Sequence, residues 1–406
     1  MLAELLAALT LGAGYNAALV GVGAALLGAA AGAVGTFLVL RKRALVSDAL
    51  AHATLPGVGL AFIAMTALGG DGRSLPGLLA GSAATAALGF LAVDRLTRRT
   101  RLSEDAAIGA VLSAFFGAGV VLLTVIQTLS AGRQAGLEDF LLGATAGMLW
   151  SEAVTVALGG GLAALAVWAL RRPLTLAAFD PGWAAAAGWP VARIDLALMA
   201  LATAVVVVGL KIVGLVLIVA LLILPPVTAR FWTERAGTMV RIAAGVGALS
   251  GWLGAAISAS APALPTGPII VLTAAALFAL SLLLAPARGL AAAMWRARRF
   301  RRRVHRRQGL LSLARGEAIH DPETLAALGA EGLIRPDGVA TEAGRAAAAK
   351  AARDEARWGV ARRVHRDAGL AGRHDGLTEI ERVFTPDEIA ELDRRLGPPR
   401  PATEGA

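Results

Sequence analysis

The sequence contains no cysteine, one tyrosine and few charged residues. The absence of cysteine excludes disulfides, iron–sulfur clusters and thiolate metal sites. Charged side chains make up 17% of the 406 residues and hydrophobic ones 56%, whereas an average soluble domain is about 25% charged. A chain this long and this apolar is typical of a membrane protein. The N-terminus, with Glu4, lacks the basic leader of a secretory signal, so we expect no processing.

The few charges are distributed unevenly. Residues 1–287 carry 16 Lys/Arg and 12 Asp/Glu, whereas residues 288–406 carry 23 and 17. This shift predicts a transmembrane domain over residues 1–290, a basic juxtamembrane linker over 291–308 and a cytoplasmic module over 309–406.

Long apolar stretches recur through the first 290 residues. A helix needs about 20 apolar residues to cross a hydrocarbon core about 30 Å thick. The sequence therefore predicts an all-α polytopic membrane protein with about nine transmembrane helices, eight being the alternative count. A further short helix around 137–147 is expected at the surface. The predicted spans are 16–40, 46–68, 75–96, 105–127, 148–170, 193–209, 212–230, 239–258 and 268–287.

Basic residues predict the orientation of these spans. If Arg41–Arg43 is cytoplasmic, thirteen Lys/Arg of the membrane domain fall in cytoplasmic connections and only Arg73, Arg133 and Lys211 fall in outer ones. Cytoplasmic connections carry such an excess of Lys and Arg. We therefore expect an odd number of spans, the N-terminus outside and the C-terminal tail inside.

Ionisable residues are rare within the predicted spans. Asp48 and His52 are four residues apart and therefore share one helix face, and His52 is the only histidine of the predicted membrane domain. A carboxylate and an imidazole suit Mn(II), Zn(II) or Fe(II), and a second copy of the helix across a two-fold axis would complete the ligand set. The alternative is that Asp48 caps the helix and His52 makes a buried hydrogen bond. Pro56 and Gly57 are expected to break or kink the helix and expose carbonyls.

Two other intramembrane acids lie close to predicted span ends. Glu152 and Asp195 are expected at the membrane interface. No chain of Asp, Glu and His residues crosses the predicted membrane domain, which argues against a proton-coupled transporter.

A short segment between two predicted spans carries signals for the start and end of a helix. Asp180 and Pro181 favour a helix start, and Gly188 with Pro190 favours a stop. The pattern predicts a short cytoplasmic helix, although a simple surface turn would also satisfy it.

This segment resembles the coupling segment of permeases in the manganese, zinc and iron branch of ABC importers, with a pattern close to Phe-Asp-Pro-Glu-x-Ala-x-x-x-Gly. The matching residues are Phe179, Asp180, Pro181, Ala184 and Gly188. Gly182 replaces the usual Glu. In that family the helix docks into a cleft on the ATPase subunit.

Four more stretches resemble the same family in the same order, so that the resemblance covers about 280 residues. They are residues 41–57, 136–143, 213–225 and 264–268. Within the first, the resemblance implies that Asp48 and His52 are metal ligands on the translocation path.

The resemblance implies a permease subunit of an ATP-driven importer of Mn, Zn or Fe in the cytoplasmic membrane. Such a subunit is not an enzyme and holds no permanent cofactor. ATP would be hydrolysed by a separate ATPase subunit, and this sequence has no Gly-x-x-x-x-Gly-Lys-Ser/Thr loop. The other implied partners are a second permease and an extracytoplasmic metal-binding protein. Two alternatives are a membrane-anchored metal-responsive regulator and an ATP-independent metal channel or carrier.

Residues 296–307 contain eight arginines in twelve positions. Such a cluster next to a membrane favours binding to anionic lipid headgroups; nucleic acid is the less favoured alternative. The residues predicted to face lipid are Arg298, Arg299, Arg301, Arg302 and Arg303.

The remaining tail resembles a degenerate winged-helix region of iron-dependent repressors. A helix over 322–332, an extended hairpin over 335–340 and a helix from Thr341 predict a small α/β module for protein contact or regulation. Of the repressor's metal ligands only His374 and Glu381 remain, so a working metal sensor is not expected. Three positions depart from that ligand pattern: Glu355, Gly359 and Arg382. Three histidines are expected at the surface: His305, His320 and His365.

Overall fold

The structure, a computed structural model, describes residues 2–70, 72, 74–128, 148–261, 264–364 and 375–396. The chain divides into two compact units, Met1–Ala291 and Ala292–Ala406.

Helices account for most of the first unit, as the apolar runs predict. In chain order they are α1 Leu2–Leu9, α2 Tyr15–Leu40, α3 Ala44–Ala67, α4 Leu75–Arg99, α5 Glu104–Thr128, α6 Trp150–Phe179, α7 Pro181–Ala186, α8 Val191–Val213, α9 Leu215–Arg230, α10 Ala236–Ala259 and α11 Thr266–Leu284.

Eight helices in the described part of the chain are long and apolar enough to cross a membrane: α2 to α6, α8, α10 and α11. The sequence predicts about nine, with eight as the alternative, and eight is the number found. The difference from nine lies at the predicted span 212–230, where α9 has only 16 residues and is about 24 Å long at 1.5 Å per residue. Gly214, with a φ of 77°, ends α8 and starts α9. The chain reverses there, because Gly209 lies directly against the Ile218 side chain.

Small residues bring α2 and α10 into close contact. A Cβ atom added at Gly28 would overlap the carbonyl of Gly247, and one added at Gly32 would overlap the carbonyl of Ala243. Both pairs repeat at four-residue spacing, so one face of each helix is involved. Helices in lipid associate through close packing of this kind rather than through apolar burial alone. Helix α2 therefore lies at the centre of the unit and is largely buried.

One end of the helix bundle gathers charged connections. Arg41, at the end of α2, donates to the Asp195 carboxylate of α8 at 2.5 Å and to the Ala177 carbonyl of α6 at 2.5 Å. Arg43 lies 3.3 Å from Glu104, at the start of α5, and 3.6 Å from Asp195. The ends of α2 and α6 therefore lie beside the starts of α3, α5 and α8.

The end of α9 reaches the same end of the bundle. Ala229 belongs to a small apolar cluster with Met239 and Ala243, against which Val39 and Leu40 of α2 pack. Although α9 is short, its C-terminal end therefore lies beside the C-terminal end of α2, near the Arg41–Arg43 turn.

Helix α3 is continuous from Ala44 to Ala67 with Pro56 inside it. Of the two expected effects of Pro56 and Gly57, a break or a kink, the break does not occur. Gly57 packs directly against the Gly81 carbonyl of α4, and α3 also packs along α5. These tertiary contacts keep the helix intact through the proline.

The second unit is helical within its described residues. Its elements are α12 Leu290–Arg315, α13 Pro322–Gly329, α14 Glu342–Val364, a 3₁₀ turn Ile380–Arg382 and α15 Pro386–Leu396. The predicted α/β winged-helix module is not supported. The expected hairpin over 335–340 consists of one isolated antiparallel bridge between Ile334 and Ala340. Pro336 and Gly338 allow a tight turn there, but too few residues pair to form strands.

Two apolar clusters stabilise the second unit. One brings Leu310 of α12 against Leu328 of α13 and Ala348 of α14. The other surrounds Trp358, whose indole Nε1 donates to the Thr378 carbonyl at 3.0 Å. The predicted basic linker over 291–308 lies within the continuous helix α12.

Candidate functional site

Asp48 and His52 lie on one face of α3, as their spacing predicts. The His52 Nε2 atom is 3.5 Å from the Asp48 Oδ1 atom. The Asp48 side chain is 37% exposed and the His52 side chain 19%, whereas Ser47, Ala49 and Ala51 on the other faces are buried. The pair therefore occupies the part of α3 that its own unit leaves partly exposed.

His52 has one side-chain nitrogen without a hydrogen-bond partner and a carbonyl that lacks its usual helical donor. The Nδ1 atom is buried and has no hydrogen-bond partner. Proline has no N–H, so Pro56 cannot donate to the carbonyl four residues earlier, which is that of His52. The ring of Phe116, on α5, packs edge-on against the imidazole with ring centroids 5.0 Å apart. This ring contact helps to hold the imidazole in place, with its Nε2 atom towards Asp48.

A single chain offers an incomplete ligand set at this position. No group of three or more His, Cys, Asp or Glu side chains able to hold a metal ion occurs among the described residues. The partly exposed face continues on α5, where Phe116, Val120 and Val121 are exposed and a Cβ atom at Gly117 would meet open space. A carboxylate costs about 2.5 to 3.5 kcal/mol on insertion scales at the centre of a membrane helix, whereas Asp48 is the fifth residue of α3, near the charged end of the bundle.

The predicted short helix between two long ones is present as α7. Asp180 caps it by accepting a hydrogen bond from the Trp183 backbone N–H at 2.8 Å, and Pro181 occupies the first turn. Gly188, with a φ of 83°, follows the helix. Ala184 is fully buried, which anchors the helix.

Exposed aromatic side chains surround α7. Phe179, Trp183 and Trp189 are all largely exposed. Only Phe179 was singled out from the sequence. The two tryptophans therefore extend the exposed aromatic surface that begins at Phe179.

The structure also assigns contacts to Glu152 and Asp195. Glu152 is buried in the first turn of α6, where its carboxylate accepts from the Leu149 N–H at 3.1 Å. Asp195 is buried beside Arg41. The pairing of Asp195 with Arg41 had no signal in the sequence beyond the position of both residues at span ends.

Of the two tail residues that match the repressor's metal ligands, the structure describes only Glu381. Glu381 lies 3.5 Å from Lys350. His374 lies outside the described residues, as do His365, the predicted helix over 137–147 and the motif at 136–143. All five arginines predicted to face lipid are exposed on α12: Arg298, Arg299, Arg301, Arg302 and Arg303.

The described residues thus form a bundle with eight helices long and apolar enough to cross a membrane, which is the architecture of a multi-pass membrane protein. The sequence pattern of the ABC 3 transport family matches residues 15–285. The chain belongs to this family.

Relatives and a solved structure cover the same part of the chain. The manganese transport system membrane protein MntC of Bacillus subtilis (strain 168) is 41% identical over 291 residues, 72% of this chain and 66% of MntC. The chain thus spans slightly less than two thirds of MntC. The zinc transport system membrane protein TroC of Treponema pallidum (strain Nichols) is 37% identical over 278 residues, 68% of this chain and 92% of TroC. The structure of PsaBC from Streptococcus pneumoniae in complex with Fab aligns with a TM-score of 0.61 at 31% identity, covering 71% of this chain and 98% of that chain.

Proposed function

We propose that the chain is the permease subunit of an ATP-driven importer that moves a divalent transition metal, Mn, Zn or Fe, across the cytoplasmic membrane. Membership of the ABC 3 transport family supports the class, and the names of MntC and TroC favour a metal ion as the cargo. ATP is hydrolysed by a separate ATPase subunit, and an extracytoplasmic protein delivers the metal.

The observation that carries the proposal is the partly exposed donor set on α3. It contains the Asp48 carboxylate, the His52 imidazole and the His52 carbonyl, which Pro56 leaves without its helical donor. Oxygen and nitrogen donors of this kind suit Mn(II), Fe(II) and Zn(II). The pair binds the ion transiently during passage.

A second permease completes the site. One chain offers two ligand side chains, and a two-fold axis beside α3 and α5 would double them. The exposed face of α5 around Gly117 has the small residues that membrane helices use for close approach. The second permease is an identical or a related chain.

Helix α7 is the contact with the ATPase subunit. Phe179 and Trp183 project exposed aromatic surface, while Ala184 anchors the helix. Ala177, directly before this segment, is bonded to Arg41, and the Arg41–Arg43 turn leads into α3. Movement of α7 on ATP binding can therefore reach the Asp48–His52 pair through the partly buried hydrogen bond between Arg41 and Ala177 and the short turn that leads into α3.

The charged end of the bundle is the cytoplasmic one. It gathers Arg41, Arg43 and Asp195 with the start of α5, which fits the excess of basic residues expected inside. The N-terminus then lies outside. The exposed arginines of α12 contact anionic lipid headgroups of the inner leaflet, and nucleic acid is not a partner.

Metal uptake by the reconstituted complex tests the proposal. The permease, its ATPase subunit and the binding protein are placed in proteoliposomes, and ATP-dependent accumulation of Mn(II) and of Zn(II) is measured. We expect Asp48→Asn and His52→Ala each to lower uptake of the cargo by about tenfold or more, since they remove direct ligands.

Asp105→Asn is the matched control, because Asp105 is an exposed carboxylate in the first turn of α5. It should leave uptake unchanged. Full uptake by both site variants would refute the metal site, and uptake without the ATPase would refute the importer class.

A further inference from the structure

A row of arginines on α12 forms one wall of a cavity in the second unit. Arg299, Arg303 and Arg306 follow one another at spacings of four and three residues and therefore share one face of the helix, and Arg307 adjoins Arg306. The cavity has a volume of about 380 Å³, and its other walls come from α14 and from the segment around the 3₁₀ turn. We call it the arginine cavity.

The arginine cavity has an excess of positive charge. Six cationic side chains line it, against the two carboxylates of Asp354 and Glu379. The six cations are Arg299, Arg303, Arg306, Arg307, Lys350 and Arg382. Asp354 is buried and pairs with Arg357 at 3.2 Å, and Glu379 pairs with Arg382 at 3.5 Å. Neither carboxylate is therefore available to the arginines of α12.

Two of the arginines lack an anionic partner. Arg306 bonds Glu331 at 2.6 Å and Arg307 bonds Glu355 at 2.8 Å. Arg303, in contrast, has no carboxylate partner in the described part of the chain. The same holds for Arg299, whose guanidinium lies 5.3 Å from the centre of the Trp295 ring, a contact that leaves its N–H groups free.

A bound anion would balance this charge. Guanidinium groups bind phosphate through two parallel hydrogen bonds, and the cavity lies within the size range of about 300–1,000 Å³ typical of small-ligand sites. Binding would also relieve the repulsion among cations that surround one volume.

We propose that the arginine cavity binds an anion that carries phosphate groups, with Arg299 and Arg303 as its principal contacts. The phosphate belongs either to a lipid headgroup or to a soluble phosphate compound. This site does not depend on the transport function, because none of its residues lies in the first unit.

Binding of inorganic triphosphate to the full chain tests the proposal. The protein is purified in a neutral detergent, and the triphosphate Kd is measured at fixed ionic strength. Arg299→Glu combined with Arg303→Glu should weaken binding by about tenfold or more, because each arginine supplies charge-assisted hydrogen bonds. Lys350→Gln, on the opposite wall, should weaken it severalfold and serves as an independent variant.

The chain offers a matched control on the same helix. Arg298→Glu combined with Arg302→Glu reverses the same number of charges at the same spacing, but neither residue lines the cavity. This pair should retain most of the binding. All four arginines are exposed, so the helical circular dichroism of both double variants should match the parent chain.

Competition then assigns the source of the phosphate. Displacement of triphosphate by micelles containing phosphatidylglycerol supports a lipid headgroup, and displacement by a nucleoside triphosphate supports a soluble ligand. Equal weakening in the two double variants would refute a defined site, as would the absence of triphosphate binding to the parent chain.

Discussion

At the scale of single residues, Pro56 contributes to the candidate site because it has no N–H to donate to the His52 carbonyl. Pro56→Ala restores an N–H that donates to the His52 carbonyl and so removes that oxygen from the proposed ligands. We expect metal uptake to fall severalfold, while the thermal stability is retained because the new hydrogen bond offsets the lost ring contacts. Uptake into proteoliposomes and a melting curve in detergent measure the two effects.

Pro173→Ala is the control for this prediction. Pro173 also lies inside a long helix, but this helix is α6, whereas the Asp48–His52 pair belongs to α3. It should leave uptake unchanged. If the Pro56 variant also transports normally, the His52 carbonyl is not a ligand.

Asp375 provides a second prediction at this scale. Its Oδ1 atom accepts hydrogen bonds from the Thr378 hydroxyl, the Thr378 N–H and the Leu377 N–H, which lowers the pKa of the carboxyl to about 2. A lowered pKa means that the stabilisation is complete above the ordinary pKa near 3.8 and is lost as the pH falls towards 2.

Hydrogen exchange measures this loss directly. The amides of Leu377 and Thr378 should become less protected between about pH 4 and pH 2, beyond the change in intrinsic exchange rate. In Asp375→Asn the amides should lack this acid-dependent step. A step of equal size in both proteins would contradict the assignment to Asp375.

At the scale of single residues, the sequence predicts the relative position of two side chains where their spacing along one helix alone decides it. Asp48 and His52 share a face because four residues make about one helical turn. Phe116 and the pair Arg41–Asp195 escaped prediction, since their contacts join residues far apart in sequence. The sequence around an aromatic residue in an apolar span, or around a charged residue at a span end, does not indicate which distant residue it will contact.

At the scale of elements, the cap of α7 decides how firmly the aromatic surface is presented. Asp180→Ala removes the oxygen that accepts from the Trp183 N–H, and loss of such a cap costs about 0.5–2 kcal/mol of helix stability. A helix of six residues cannot compensate elsewhere. We expect weaker binding of the ATPase subunit, measured by co-purification and by titration of the labelled ATPase.

Asp321→Ala gives the matched change elsewhere in the chain. Asp321 caps α13 by accepting from the Thr324 N–H at 2.9 Å, so the same type of bond is lost in the second unit. This variant should bind the ATPase as the parent does. Equal weakening by both variants would show that general destabilisation, rather than α7, is responsible.

The apolar runs and the capping residues predict where the helices of the membrane unit lie. The same kinds of signal do not predict whether the segments of the tail are helices or strands. The expected hairpin over 335–340 contains Pro336 and Gly338, which suit a tight turn whether or not strands extend from it. Only the Ile334–Ala340 bridge forms. Likewise, the apolar run that continues through Gly214 concealed the reversal that leaves α9 with 16 residues, because hydropathy does not register a single positive φ.

At the scale of the whole membrane unit, orientation depends on which end of the bundle is cytoplasmic. The absence of cysteine allows a clean test, since any introduced cysteine is the only thiol. Leu68→Cys and Leu102→Cys are matched changes of exposed leucines, 88% and 45% exposed. Leu68 follows α3, whereas Leu102 precedes Glu104, the partner of Arg43 at the charged end.

An impermeant maleimide applied to intact cells, or to spheroplasts where an outer membrane is present, distinguishes the two ends. With the charged end inside, Leu68→Cys reacts at once and Leu102→Cys reacts only after the membrane is permeabilised. The reason is the energetic preference that keeps Lys and Arg of short connections in the cytoplasm. Both variants should support metal uptake, which shows that the labelled protein is folded. The reverse labelling pattern would place α7 outside, out of reach of any ATPase, and would overturn the proposed coupling.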